Sequence, residues 1–204
     1  MSTLPDPFYP IAPDAGWVAR LVGAGARFVQ LRAKDLDDAA ARAEVAAALD
    51  ACRRAGATLV VNDHWQAAIA LRAPWLHLGQ GDLDHVDMAA IKAAGIKLGL
   101  STHDLRELER ALAHDPDYVA LGPIWPTTLK RMPFAPQGVE KIADWRRRVG
   151  ARALVAIGGV TLERAEACFA QGADGVALVS DVTAAADPEA RVRAWIAATA
   201  RWRR

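Results

Sequence analysis

Gln30, Arg32 and Lys34 stand at every second position where the apolar run Phe28-Val-Gln-Leu31 turns polar. On an extended chain, alternation by two places all three side chains on one side. An Arg and a Lys are too costly to bury unpaired, so the pattern sets them at a solvent-reachable strand end facing an anion. A bidentate guanidinium beside a flexible ammonium suits phosphate oxygens. A solvated edge strand would carry the same pattern, so the reading needs partners elsewhere in the chain.

Asp63 and Asp82 are such partners. They are two carboxylates with no Cys or His cluster beside them. Hard oxygen ligands of this kind suit Mg²⁺, which takes one or two carboxylates and completes its shell with water and substrate phosphate. Taken singly, each is equally a helix cap or a loop acid. Gly158-Gly159 is a second kind of signal, because glycines let backbone N–H groups approach an anion. Ser180 sits where barrel folds often hold a phosphate monoester.

These residues are far apart in sequence, so the fold must gather them. Short apolar runs predict strands over 8–11, 28–31, 58–61, 75–78, 97–100, 118–121, 153–157 and 175–179. Between them the pattern predicts helices over 14–24, from Asp35 or Asp37 to 54, 65–71, 86–94, 105–113, 137–149 and 162–171, with a last one from near Pro188. Eight β/α units with short links fit a single (β/α)8 TIM barrel covering 1–204, better than an open doubly wound sheet. A barrel demands polar chemistry at the C-terminal strand ends. The chain meets that demand in order with Gln30, Arg32 and Lys34, then Asn62 and Asp63, then Gln80 and Asp82. Ser101 and His103 follow, then Thr127, Thr128 and Lys130 in a Pro-rich loop, then Gly158-Gly159, then Ser180. Two acids and three bases at one barrel mouth make a metal–pyrophosphate site.

Composition narrows the function classes. Acidic and basic residues are interspersed and the net charge is +1, so nothing points to nucleic acid. No apolar run approaches the roughly 20 residues of a membrane span, and no signal-peptide core opens the chain. Cys52 and Cys168 lack metal-ligand spacing and read as buried reduced thiols of a cytoplasmic protein. No Ser-His-Asp or Cys-His constellation supports acyl-enzyme chemistry. His77 reads as a core or pocket-wall residue, His103 as a helix cap, and His64, His85 and His114 as surface residues. Trp125, in the Pro-rich loop, is placed to touch an aromatic ring. The sequence allows a homo-oligomer without requiring one.

The motifs taken together resemble the thiamine-phosphate synthase family. The matching pieces are Val29-Gln-Leu-Arg-Ala-Lys34, Val61-Asn-Asp63, His77-Leu-Gly-Gln-Gly-Asp82, Gly99-Leu-Ser-Thr-His103, Leu121-Gly-Pro-Ile-Trp-Pro-Thr-Thr-Leu-Lys130, Ala156-Ile-Gly-Gly159 and Gly172-Ala-Asp-Gly-Val-Ala-Leu-Val-Ser180. The resemblance implies an enzyme joining hydroxymethylpyrimidine diphosphate to thiazole phosphate, or its carboxylate, with release of pyrophosphate. It implies that Gln30, Arg32, Lys34, Asn62 and Lys130 hold the pyrimidine diphosphate and that Ser101 lines its ring. It further implies Mg²⁺ on Asp63 and Asp82, with Thr127, Gly159, Val179 and Ser180 on the thiazole phosphate. Leu129 stands where the family has a second loop Thr, so one hydroxyl contact to the phosphate is missing unless Thr128 supplies it after a shift of the loop. Ala33 replaces a common Glu, and Asp181 a common small residue. Rival readings are a thiazole tautomerase-like paralogue and a catalytically silent phosphate-binding barrel; the tautomerase type has no use for the full cationic cradle.

Overall fold

The structure, a computed structural model, describes residues 4–127 and 134–203. Eight parallel strands close into a barrel in sequence order, with β8 returning to pair with β1. The strands are β1 Phe8–Ala12, β2 Phe28–Leu31, β3 Thr58–Asn62, β4 Trp75–Leu78, β5 Lys97–Thr102, β6 Tyr118–Leu121, β7 Ala153–Ile157 and β8 Gly175–Leu178. The helices are α1 Ala15–Gly23, α2 Asp38–Ala55, α3 Trp65–Ala70, α4 Met88–Ala93, α5 Leu105–Ala113, α6 Lys141–Val149, α7 Ala165–Ala170, α8 Ser180–Thr183 and α9 Pro188–Thr199. Among the described residues, no helix is long and apolar enough to cross a membrane.

Aspartates start five of these helices. Asp14, Asp37, Asp87, Asp104 and Asp187 each accept the backbone N–H three residues on. Each such cap is worth about 1 kcal/mol. Asp37, not Asp35, therefore begins α2, and Asp104, not His103, begins α5. The helix expected from 137 begins only at Lys141. Gln137 and Gly138 instead give their N–H groups to Pro123 and Ile124, tying the end of the Pro-rich loop to its start. The segment expected as one helix over 162–171 is a 3-10 turn, Leu162–Arg164, followed by α7. The sequence pattern also missed α8, a single turn directly after β8.

Strand alternation builds two cores rather than one. Phe8, Val29, Leu31, Leu76, Leu98, Leu100, Val119 and Leu154 face outward and pack beneath the helices. Tyr9, Ile11, Phe28, Val60, Trp75, Tyr118, Val155 and Ala177 face inward and fill the barrel. The inward set changes character along the strands. Its N-terminal half is aromatic and apolar; its C-terminal half carries Gln30, Asn62 and His77, all nearly sealed from solvent. One inward position is empty by necessity. A Cβ on Gly99 would lie 2.0 Å from the Tyr118 ring, its register partner on the next strand. Glycine there is what lets the tyrosine ring lie across the barrel axis.

Candidate functional site

The C-terminal mouth of the barrel opens into a cavity of about 510 Å³. Its wall includes Gln30, Arg32 and Lys34 after β2, Asn62 and Asp63 after β3, and Asp82 after β4. Ser101, Thr127, Gly159, Val179 and Ser180 complete the circuit. Every phosphate- and metal-site candidate within the described segments thus lines one cavity. Thr128, Leu129 and Lys130 lie outside the described residues.

Electrostatics divide this mouth. Lys34 Nζ donates to Asp63 Oδ2 at 2.5 Å, with both side chains partly exposed. Such a pair contributes only about 0–1 kcal/mol, so an arriving polyanion can draw the ammonium away. Burial disfavours the charged form of Asp63, but the Lys34 ammonium outweighs it and holds the carboxyl below its ordinary value. Asp82 is pushed the other way, by burial and then by the negative charge of Asp63, although the Gly79 N–H at 2.8 Å works against the shift. Two crowded carboxylates of which one resists ionising form a hard-oxygen pair that a divalent cation would relieve. Among the described residues no larger cluster of His, Cys, Asp and Glu offers a metal site. Asp63 takes its place through a left-handed backbone, φ 62°, a conformation that aspartate tolerates better than most side chains.

Two side chains here have unused bonding capacity. The amide nitrogen of Asn62 is buried without a hydrogen-bond partner, and among the described residues the Arg32 guanidinium is unpaired. A buried unpaired donor costs about 1–3 kcal/mol, a cost removed when a ligand supplies the acceptor. The opposite side is arranged differently. Gly158 and Gly159 both have positive φ, 93° and 64°, and a Cβ on Gly159 would press on Pro126 O at 2.6 Å. Those glycines let the β6 loop dock closely, its Trp125 N–H reaching Gly158 O. Ser180 is exposed at the start of α8, while Asp181 turns away from the cavity. Its carboxylate accepts two bonds from Arg191, at 2.8 and 2.9 Å, and one from Trp195 Nε1 at 2.6 Å. The acid next to Ser180 is thus neutralised and leaves the Ser180 side of the cavity free of its charge.

The family model for thiamine monophosphate synthase matches residues 9–182. The chain belongs to that family. Similar curated proteins include the thiamine-phosphate synthase of Rhizobium etli, 58% identical over 198 residues and 97% of each chain. The thiamine-phosphate synthase of Neisseria meningitidis serogroup A is 48% identical, covering 92% of each. Among solved structures, the thiamine phosphate pyrophosphorylase of Pyrococcus furiosus has the same fold, with a TM-score of 0.83, 23% identity and 96% of each chain covered.

Several expectations need correcting. Trp125 does not line the cavity; the Arg164 guanidinium lies over its ring at 5.2 Å. His64 is half-buried rather than a free surface residue, its Nε2 lying 2.9 Å from Ala33 O. His103 stacks on Phe134 with ring centroids 4.5 Å apart and lies 2.6 Å from Glu107, so it steadies the far end of the β6 loop. The cysteines are buried as expected, and burial pushes Cys52 up to about 11 and Cys168 up to about 12. What sequence reasoning missed is the polar floor of the cavity, where Tyr9 and His77 meet the buried Tyr118. A signal existed: the chain has only two tyrosines, both within strands, and a buried phenol needs a partner.

Proposed function

We propose that this chain joins hydroxymethylpyrimidine diphosphate to thiazole phosphate, or to its carboxylate with loss of carbon dioxide, forming thiamine phosphate and releasing pyrophosphate. The observation that carries the reading is the single cavity into which Arg32, Lys34, Asn62, Asp63 and Asp82 all converge, opposite Gly159 and Ser180. Family membership and the near full-length relatives named thiamine-phosphate synthase support it. In the reaction the bond between the pyrimidine methylene carbon and the diphosphate oxygen breaks, and the pair of electrons leaves with pyrophosphate. The thiazole nitrogen then gives its lone pair to that carbon. No general base is required.

The residues divide the work. Arg32 and Lys34 face charge that grows on the leaving group, a role that the family resemblance extends to Lys130, and interactions that strengthen with that charge lower the barrier. Asn62 and Gln30 orient the diphosphate substrate and Ser101 its ring. Thr127, Thr128, Gly159, Val179 and Ser180 seat the thiazole phosphate, and holding both substrates together removes much of the entropic cost of encounter. Asp63 and Asp82 would hold Mg²⁺, which supplies Lewis-acid neutralisation of the departing pyrophosphate. Burial lowers the His77 imidazole to about 4, so at neutral pH it adds no positive charge beside the developing pyrimidine cation. The chain's inert, buried thiols fit a cytoplasmic location.

The deciding assay mixes the purified protein with both phosphorylated heterocycles and Mg²⁺ and looks for thiamine phosphate and pyrophosphate. Product absent, with thiazole isomerised instead, would favour the tautomerase-like alternative; neither change would favour the silent barrel. Two further outcomes are expected. Chelation should abolish most turnover, and Mg²⁺ should restore it; full activity in chelator removes the metal role of Asp63 and Asp82. Lys130→Ala should lower kcat by about 10²-fold at saturating substrate, and an unchanged kcat would detach Lys130 from the leaving group.

A further inference from the structure

Four hydrogen bonds form a chain across the barrel interior, where Tyr9, Gln30, His77 and Ser101 line the cavity and Tyr118 lies behind them. Gln30 Nε2 donates to the Tyr9 hydroxyl at 2.7 Å, and the Tyr9 and Tyr118 hydroxyls are 2.9 Å apart. The Tyr118 hydroxyl lies 2.8 Å from His77 Nδ1, and His77 Nε2 lies 2.8 Å from Ser101 Oγ. We propose that this chain runs in one direction, from Gln30 to Ser101, and makes Tyr9, Tyr118 and His77 positioning residues that present the Ser101 hydroxyl to the cavity as a donor. The proposal rests on the reading of that cavity as a pyrimidine site.

Proton counting sets the direction. An amide nitrogen only donates, so the Tyr9 oxygen accepts at the first link. Tyr9 and Tyr118 are both sealed from solvent, and each has one proton to place. The Tyr9 proton goes to Tyr118, and the Tyr118 proton goes to His77 Nδ1. That nitrogen must then be bare. An imidazole that accepts a hydrogen bond at Nδ1 is the neutral form. A neutral imidazole with a bare Nδ1 carries its proton on Nε2 and gives it to Ser101 Oγ. Ser101 is left with its own proton, at the cavity wall. The chemistry that receives it is an acceptor without a proton, such as an azine ring nitrogen. A reversed chain would instead leave the hydroxyl committed to His77 and offer the ligand only a lone pair.

The direction is measurable on the wild-type protein without substrate, from the two imidazole ¹⁵N shifts of His77. A protonated Nε2 with an unprotonated Nδ1 is expected; an Nδ1–H tautomer overturns the proposal whatever the enzyme's activity. The second arm is Tyr118→Phe, which keeps the ring and cuts the chain. It should raise KM for the pyrimidine diphosphate about tenfold while leaving KM for the thiazole phosphate unchanged, and Tyr9→Phe should do the same more weakly. Unchanged KM values, or an equal rise in both, would also overturn it. Failure of the wild type to form thiamine phosphate counts against the assigned reaction instead, and the tautomer is read independently of that result.

Discussion

Arg32→Ala lowers kcat/KM by about 10³-fold and shifts the melting temperature by no more than about 2 °C. The two halves of this expectation come from different observations. Arg32 follows β2 at the cavity wall, where a planar guanidinium can grip two phosphate oxygens as the leaving group gains charge. Yet among the described residues its guanidinium makes no ion pair or hydrogen bond, so truncation removes no native contact. Substitutions of that kind stay within about 0.5 kcal/mol of wild-type stability. Arg32→Lys should recover only part of the rate, since an ammonium restores the charge without the fork. Steady-state kinetics beside a thermal melt check both halves. A kcat/KM near wild type would take the leaving-group role away from Arg32, and a large fall in melting temperature would expose a structural role.

The second large effect is on stability. Gly99→Ala places a methyl 2.0 Å from Tyr118 Cζ and 2.4 Å from its hydroxyl oxygen, far inside van der Waals contact. Tyr118 has little room to retreat. The His77 ring stacks on it, with centroids 5.6 Å apart, and Tyr9 meets it edge-on at 6.0 Å. Overpacking of this kind costs about 3 kcal/mol, or about 6–12 °C of melting temperature in a chain of this size. The clash involves one pair, so the effects should not add. Tyr118→Ala should cost less in the Gly99→Ala background than alone, because the second change makes room for the first. A melt of the four proteins of that cycle decides it. Additive losses would mean that the methyl is accommodated by backbone movement instead of by the ring.

Both predictions depend on how strand alternation is resolved in three dimensions. The apolar runs and the Asp, Gly and Pro residues between them were enough to order eight β/α units, because propensity and capping act over a few residues. Boundaries slipped where distant partners intervene. The sequence pattern starts a helix at Gln137, but Pro123 and Ile124 claim the N–H groups of Gln137 and Gly138, and Gly138 takes a φ of 77°. The same limit hid the role of His103, since its stacking partner Phe134 lies on a different β/α link.

For the site, the chain by itself determined which charges stand at strand ends. Arg32 and Lys34 fall two residues apart past β2, and Asp63 and Asp82 end neighbouring strands, so any closed barrel must bring them to one mouth. Only the tertiary structure decided how they are paired. It set Lys34 on Asp63, left the Arg32 guanidinium and the Asn62 amide nitrogen without partners among the described residues, and turned Asp181 onto Arg191 and Trp195. It also decided that Tyr9, Gln30, His77, Ser101 and Tyr118, drawn from five strands, share one line of hydrogen bonds. The physical reason is reach. A sequence pattern reports which face of its own strand a side chain occupies, whereas a hydrogen bond across a barrel depends on strand stagger and on the space a neighbour such as Gly99 leaves open.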